Sequence, residues 1–442
     1  MTDLMTTGDP AGIAAGSPTA VFAARESTVR SYSRTYPAVL ASARGTTVVG
    51  EDGTEYVDFF SGAGALNYGH NHPHIKRRVV DYLGGDGLVH ALDCHTPAKR
   101  EFLDRFGREI LEPRGMDHRI QFCGGTGTDA VEAALKLARK HTGRSKVIAF
   151  SGSYHGVSRG SLAATSDLRL RRTAGVALDE VTFLPFPVGP RGGFATTALL
   201  EQLLTDDLSG VEPPAAVILE VVQMEGGVFR IPDAALRSLR SLCDAHGIVL
   251  IVDDIQAGCG RTGGFFSFER SGVVPDLITM SKSISGLGLP MSLLLIRGGM
   301  DSWEPGDHPG TFRGNQLAFV AGTAALDLWR SEDFLTTARR GAELLRRFWR
   351  DNTLPGLVVR CEGHAVGVDL TALGGGATAS AVVARCFERG VIVESTGRDK
   401  AVLKLLPPLV ADADTLGLGC ATVLEAILHT LAENQISPDA KP

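Results

Sequence analysis

The chain has 442 residues, more than one hydrophobic core usually holds, so a large domain with a smaller companion is expected. Its content, 44% hydrophobic and 21% charged, is that of an ordinary globular protein. A net charge of −6 leaves no basic excess, so a nucleic-acid partner is not expected.

The first 24 residues contain no lysine or arginine and are rich in Gly, Ala, Thr and Pro. They lack the cationic start of a secretory signal and read as a flexible N-terminal arm. No uninterrupted apolar run approaches the roughly 18 residues of a membrane span. The longest, around 215–222 and 248–252, are cut by Glu220 and Asp253, so no membrane association is expected. The seven cysteines are odd in number and show no C-x-x-C spacing. Neither a disulfide framework nor a metal site is expected, and a reducing cytoplasm fits.

In chain order, residues Thr47–Phe59 form two alternating runs around Asp52-Gly53, the pattern of a β-hairpin. Ser61–His70 is too rich in glycine for a packed element and lacks the charges of a solvated linker. It is either a plain loop or a place where backbone comes close to a ligand. Seven apolar runs then alternate with helical stretches: Arg119–Phe122, Lys146–Phe150, Val181–Leu184, Ala215–Val222, Ile248–Asp253, Leu277–Met280 and Met291–Ile296. Several are nearly continuous, as strands buried on both faces should be, which predicts an α/β domain with a mostly parallel seven-stranded sheet. A long helical stretch follows from Leu317 to Arg350, then short mixed elements and a last helix near Thr422–Ala432. The expected division is an arm over 1–24, an N-terminal segment of the small domain over 25–75, a large domain over 76–325, and a C-terminal α+β small domain over 326–442.

Four stretches carry candidate chemistry. Val131, Ala134, Leu135 and Ala138 recur at helical spacing, so a helix begins near Thr128, directly after Gly124-Gly125-Thr126-Gly127. Such a start offers free N–H groups and hydroxyls, and serves either as an ordinary N-cap or as a phosphate cradle. It matches neither the dinucleotide nor the nucleoside-triphosphate glycine pattern. Tyr154, just after the run ending at Phe150, is either a half-buried core tyrosine or a stacking face for a planar ring. Asp253 closes a buried apolar run, where a carboxylate can keep a pyridinium nitrogen protonated. Lys282 closes another, flanked by serines and followed by Gly286 and Gly288, where an amine can form a Schiff base with an aldehyde. A lysine after a strand is most often a solvated surface group; paired with Asp253, it points to pyridoxal phosphate.

Six motifs together carry a family resemblance. They are Asp253-Asp254-Ile255-Gln256-Ala257-Gly258-Cys259-Gly260-Arg261-Thr262-Gly263, Ser281-Lys282, Thr126-Gly127-Thr128, Tyr154-His155-Gly156, Glu220-x-x-Gln223-x-Glu225-Gly226-Gly227, and Gly310-Thr311-Phe312-Arg313-Gly314-Asn315. From about residue 25 to 435 the chain resembles the class III (ornithine/ω-amino acid) pyridoxal 5'-phosphate-dependent aminotransferases, in the family's order. The resemblance implies the aspartate aminotransferase-like fold, fold type I, with residues 76–325 as the cofactor domain. Phe59–His70 and Lys404-Leu405-Leu406-Pro407-Pro408-Leu409 are most similar to the diaminobutyrate–2-oxoglutarate branch of ectoine biosynthesis.

By that resemblance Lys282 forms the Schiff base and moves the proton, Asp253 pairs with the pyridine nitrogen, and Ile255 and Tyr154 pack on opposite ring faces. Gln256 meets the 3-hydroxyl. Thr126, Gly127 and Thr128 hold the phosphate, His155 and Glu220 line the cofactor, and Thr311 reaches it from a neighbouring subunit, which implies a homodimer. Gly62, Ala63, Glu225 and Lys404 fall on the substrate side. Ornithine-type members carry an arginine where this chain has Lys404, a point charge in place of a bidentate fork. Arg159 stands where an apolar residue is usual and has no assigned role. The implied reaction is ping-pong transamination between glutamate/2-oxoglutarate and aspartate 4-semialdehyde/2,4-diaminobutyrate. Another ω-amino donor, a decarboxylation or an epimerisation stays open.

Overall fold

The structure, a computed structural model, describes residues 18–178, 180–189, 192–193 and 195–436. Seven strands form the central sheet: β1 Arg119–Phe122, β2 Val147–Phe150, β3 Val181–Leu184, β4 Ala216–Leu219, β5 Val249–Asp253, β6 Leu277–Met280 and β7 Leu293–Ile296. Their order is β1-β7-β6-β5-β4-β2-β3. Only β7 runs antiparallel to its neighbours. Every residue of β2, β4, β5, β6 and β7 is buried, as their unbroken apolar runs require. One face is covered by the helix Gly127–Thr142 through Val131, Ala134, Leu135 and Ala138; the other is covered by a phenylalanine-rich cluster that includes Phe102, Phe106 and Phe319. Each fully buried Leu or Val on that helix contributes about 1.5–3 kcal/mol, so its first turn is firmly placed at the sheet edge.

The runs expected as Lys146–Phe150, Ile248–Asp253 and Met291–Ile296 are shorter at their starts. The run 215–222 is corrected further. Its strand stops at Leu219, and Val222-Gln223 pairs instead with Phe229-Arg230 in a separate ribbon. Between them Glu220 leaves the sheet to accept the Tyr154 N–H at 3.1 Å.

The remaining core gathers two four-stranded sheets. Thr47–Gly50 and Glu55–Asp58 form the expected hairpin, and the latter pairs in parallel with Val391-Ile392, so the chain's two ends share one sheet. In the other sheet Glu394–Thr396 pairs antiparallel with Val402–Leu405, and Glu394 lies opposite Lys404. The helical stretch 317–350 is two helices, Gln316–Trp329 and Glu332–Asp351, divided where Ser331 accepts the Phe334 N–H. Residues 1–17 of the expected arm lie outside the described residues, and Ala20–Arg25 forms a short helix rather than arm.

The last helix, Ala413–Ile436, begins well before the expected Thr422. By length and composition its stretch Ala413–Glu433 is apolar enough to cross a membrane, although no unbroken apolar run marks it in the sequence. Its apolarity has a packing reason: Leu416, Cys420, Val423, Ala426 and Ile427 are buried in the core beside the two smaller sheets.

Candidate active site

Strands β1, β2, β5 and β6 end at one edge of the sheet, where the chain leaves them as loops. Four of the sequence-predicted stretches therefore meet there. After β1, Thr126 closes the loop by donating its N–H to Asp129 Oδ2 at 3.1 Å, and the helix begins at Gly127. A Cβ on Gly127 would stand 2.7 Å from Ile255 Cδ1, so the helix start and the residue after Asp253 touch. The Thr128 hydroxyl lies 2.5 Å from the hydroxyls of both Ser158 and Ser161. Neither serine was legible as part of the site.

After β2, the turn through Gly156 has φ +124° and leaves no room for a Cβ beside Thr128 Oγ1. The turn aims His155 inward, its side chain fully buried, and leaves Tyr154 partly exposed. His155 Nδ1 lies 2.7 Å from Asp253 Oδ2. Asp253 Oδ1 accepts from Thr279 Oγ1 at 3.1 Å and from the Ile255 N–H at 3.2 Å. Burial and the charge of Asp253 push the Glu220 carboxyl, which accepts the Tyr154 N–H, well above its ordinary range.

Lys282 follows β6 in the left-handed backbone region, φ +53°, an unusual state for a residue with a side chain. Burial, with the nearby charge of Lys404, lowers its amine to about 8. Ser283 anchors it to the glycine-rich stretch, donating to Gly64 O at 2.9 Å and accepting the Asn67 N–H at 3.1 Å. That stretch is thus no plain loop. Gly62 and Ala63 both have φ +57°, and Ala63 O accepts Gln256 Nε2–H at 2.7 Å. Gln256 Oε1 accepts from Lys404 Nζ at 3.2 Å, which leaves its second N–H for any ligand.

Lys404 is fully buried and carries two acids. Its Nζ pairs with Glu225 Oε1 and lies 2.8 Å from Glu394 Oε1. Burial works against both charged forms, yet their attraction holds Glu225 down and Lys404 up. The resemblance put Lys404 and Glu225 on the substrate side and missed Glu394; an acid closing the apolar run 391–393, the same signal as Asp253, was there to find it. Arg159 is exposed at the start of a short helix. Thr311 lies on an exposed stretch, its carbonyl accepting from His90 Nε2 at 2.9 Å.

The family described as aminotransferase class-III matches residues 28–428. A relative from Bordetella parapertussis named diaminobutyrate–2-oxoglutarate transaminase is 47% identical over 94% of this chain and 96% of its own. One of the same name from Streptomyces anulatus is 46% identical over 93% of this chain and 98% of its own. Among solved structures, the ornithine aminotransferase of Toxoplasma gondii superposes with a TM-score of 0.80 at 25% identity, covering 94% of this chain and 95% of its own.

Proposed function

The chain belongs to the class III aminotransferases, which depend on pyridoxal 5'-phosphate, and from that premise we propose that it exchanges an amino group between L-glutamate and L-aspartate 4-semialdehyde, giving 2-oxoglutarate and L-2,4-diaminobutyrate, or the reverse.

The residues present fit the cofactor. Lys282 is a buried amine of lowered pKa, Asp253 is a sealed carboxylate, and the glycine at 127 sits where any side chain would strike Ile255. Lys282 would hold the aldehyde, Asp253 the ring nitrogen, and Ile255 and Tyr154 the two ring faces. The Gly127 and Thr128 N–H groups, at the positive end of a 16-residue helix, would hold the phosphate. Bound there, the cofactor supplies a carbonyl that takes up and releases nitrogen and a ring that accepts electrons when a carbon-bound proton is lost. Lys282 Nζ is the group that takes and returns that proton, and a pKa near 8 keeps part of it neutral at physiological pH. His155 and Thr279 fix Asp253 so that its charge faces one direction.

The observation that carries the substrate reading is Lys404, a buried cation covered by the acid Glu225. Glutamate, reacting through its α-amine, brings a carboxylate on the reacting carbon to be recognised, whereas a donor that reacts through its ω-amine does not. Lys404 uncovered by Glu225 suits the former and covered suits the latter. Purified enzyme should form glutamate when given diaminobutyrate and 2-oxoglutarate, with turnover exceeding that on ornithine, 4-aminobutyrate or β-alanine. A panel in which another ω-amine is clearly preferred would reassign the donor.

A homodimer sharing its sites is part of the same reading. Val80, Leu83, Leu88, Val89 and Leu92 are all exposed, and His90 meets Phe312 edge-on at 5.2 Å, so the patch continues to Thr311. A second copy is the occupant that would cover it. All seven cysteines stand as thiols, which supports a cytoplasmic setting.

A further inference from the structure

Glu394 and Lys404 are cross-strand partners, so their side chains leave the same face of the small sheet. Lys404 Nζ has three protons and three acceptors around it: Glu225, Glu394 and Gln256. The two acids are not equivalent. Glu225 is held at both oxygens, Oε1 by Lys404 and Oε2 by the Thr396 hydroxyl at 3.0 Å. Glu394 Oε1 is buried and within 2.8 Å of the ammonium but makes no aligned hydrogen bond. Burial and the charge of Glu225 raise its carboxyl. One ammonium thus serves two carboxyl groups.

The cluster adjoins the site residues: Lys404 Nζ lies 3.2 Å from Gln256 Oε1, and the Gln256 amide donates to Ala63 O at 2.7 Å. A diamino acid that reacts through its far amine presents at its other end an α-ammonium beside an α-carboxylate. We propose that Glu394 is a specificity-determining residue that receives this α-ammonium while Glu225 stays on Lys404. The inference rests on the diamine reading above and names what distinguishes the accepted donor from a plain ω-amino acid.

The test compares two donors of equal length. L-2,4-Diaminobutyrate and 4-aminobutyrate differ only in the α-ammonium. Holoenzyme is mixed with each donor alone, and the half-reaction is followed by the spectral change of the cofactor. Where 4-aminobutyrate turns over too slowly to follow, its competitive inhibition constant replaces the rate. The ratio of kcat/KM values should favour diaminobutyrate in the natural enzyme. Glu394→Gln should shrink that ratio by about 10- to 100-fold, the range of a charge-assisted contact, chiefly through apparent affinity. Glu394→Asp should lie between. A merely structural role would weaken both donors alike, and an unchanged ratio or an equal loss in both overturns the assignment. Natural enzyme that converts no diaminobutyrate overturns the proposed reaction and this inference with it. Natural enzyme that converts it, with a ratio insensitive to residue 394, overturns the inference alone.

Discussion

His155 Nδ1 stands 2.7 Å from Asp253 Oδ2, and both side chains are sealed from water. The other ring nitrogen, Nε2, is buried with no hydrogen-bond partner among the described residues, so within them the imidazole is committed to this one contact. With Thr279 and the Ile255 N–H on its second oxygen, Asp253 is pre-set and has no freedom to reorganise during a reaction. Asp253→Asn should therefore keep the fold and retain cofactor through Lys282 and the phosphate loop. It should lower kcat by about 100- to 1,000-fold, the usual effect of removing one pre-set electrostatic partner. Steady-state rates beside the visible absorbance of the holoenzyme check this; near-normal turnover would transfer the role to Asp254, the adjacent buried acid.

Lys282 gives a pH dependence whose sign is fixed by the direction of its shift. Its amine falls from 10.5 to about 8, so between those values the unfolded chain binds a proton that the native chain does not. Stability of the cofactor-free enzyme should rise with pH across that window through this group, and Lys282→Met should remove the rise. Cofactor capture needs the neutral amine. Its rate should climb about tenfold per pH unit below 8 and flatten above, as stopped-flow absorbance can report. A flat profile from pH 6 to 9 would show that the amine is not the group that captures the aldehyde.

The exposed patch from Val80 to Leu92 predicts the assembly state. Sedimentation should find a dimer, and Phe312→Asp, which puts a charge on that exposed patch, should weaken it. Because Thr311 adjoins Phe312, monomers should also lose cofactor affinity. A variant that stays dimeric, or becomes monomeric with cofactor binding untouched, argues against sites shared across that face.

Much of this was legible because the informative residues close apolar runs. Phe150, Asp253 and Met280 each end a buried strand, and a parallel sheet brings such ends to one edge whatever the connections do. Partners that arrive from far along the chain were not legible. Thr279 and His155 were individually readable residues, but only the pairing of β5 with β6 and the turn at Gly156 bring them to Asp253. Glu220 lay inside an apolar run that reads as continuous strand, and tertiary capture of the Tyr154 N–H overrode the pattern. Glu394, closing the apolar run 391–393, was readable as a candidate acid, but its pairing with Lys404 needed the cross-strand register, which two short strands do not announce in sequence.

The cover on Lys404 should separate the two halves of the reaction. Glu225 stands in the turn between Val222-Gln223 and Phe229-Arg230, whereas Glu394 lies in a strand beside the cation. When glutamate's α-carboxylate arrives, Glu225 can yield its place while Glu394 remains, so Lys404 is never stripped of all counter-charge. Lys404→Ala should impair the glutamate half-reaction by roughly 2–3 kcal/mol, a loss of about 30- to 150-fold in kcat/KM, and the diaminobutyrate half-reaction much less. Glu225→Ala should act in the opposite sense, since a bare Lys404 repels a cationic donor and welcomes an anionic one. Each half is read from the cofactor's spectral change with one substrate present. Equal losses in both halves for Lys404→Ala would rule out the movable cover and direct the search for the carboxylate's partner to another cation, Arg159 first, since it stands where the family usually has an apolar residue.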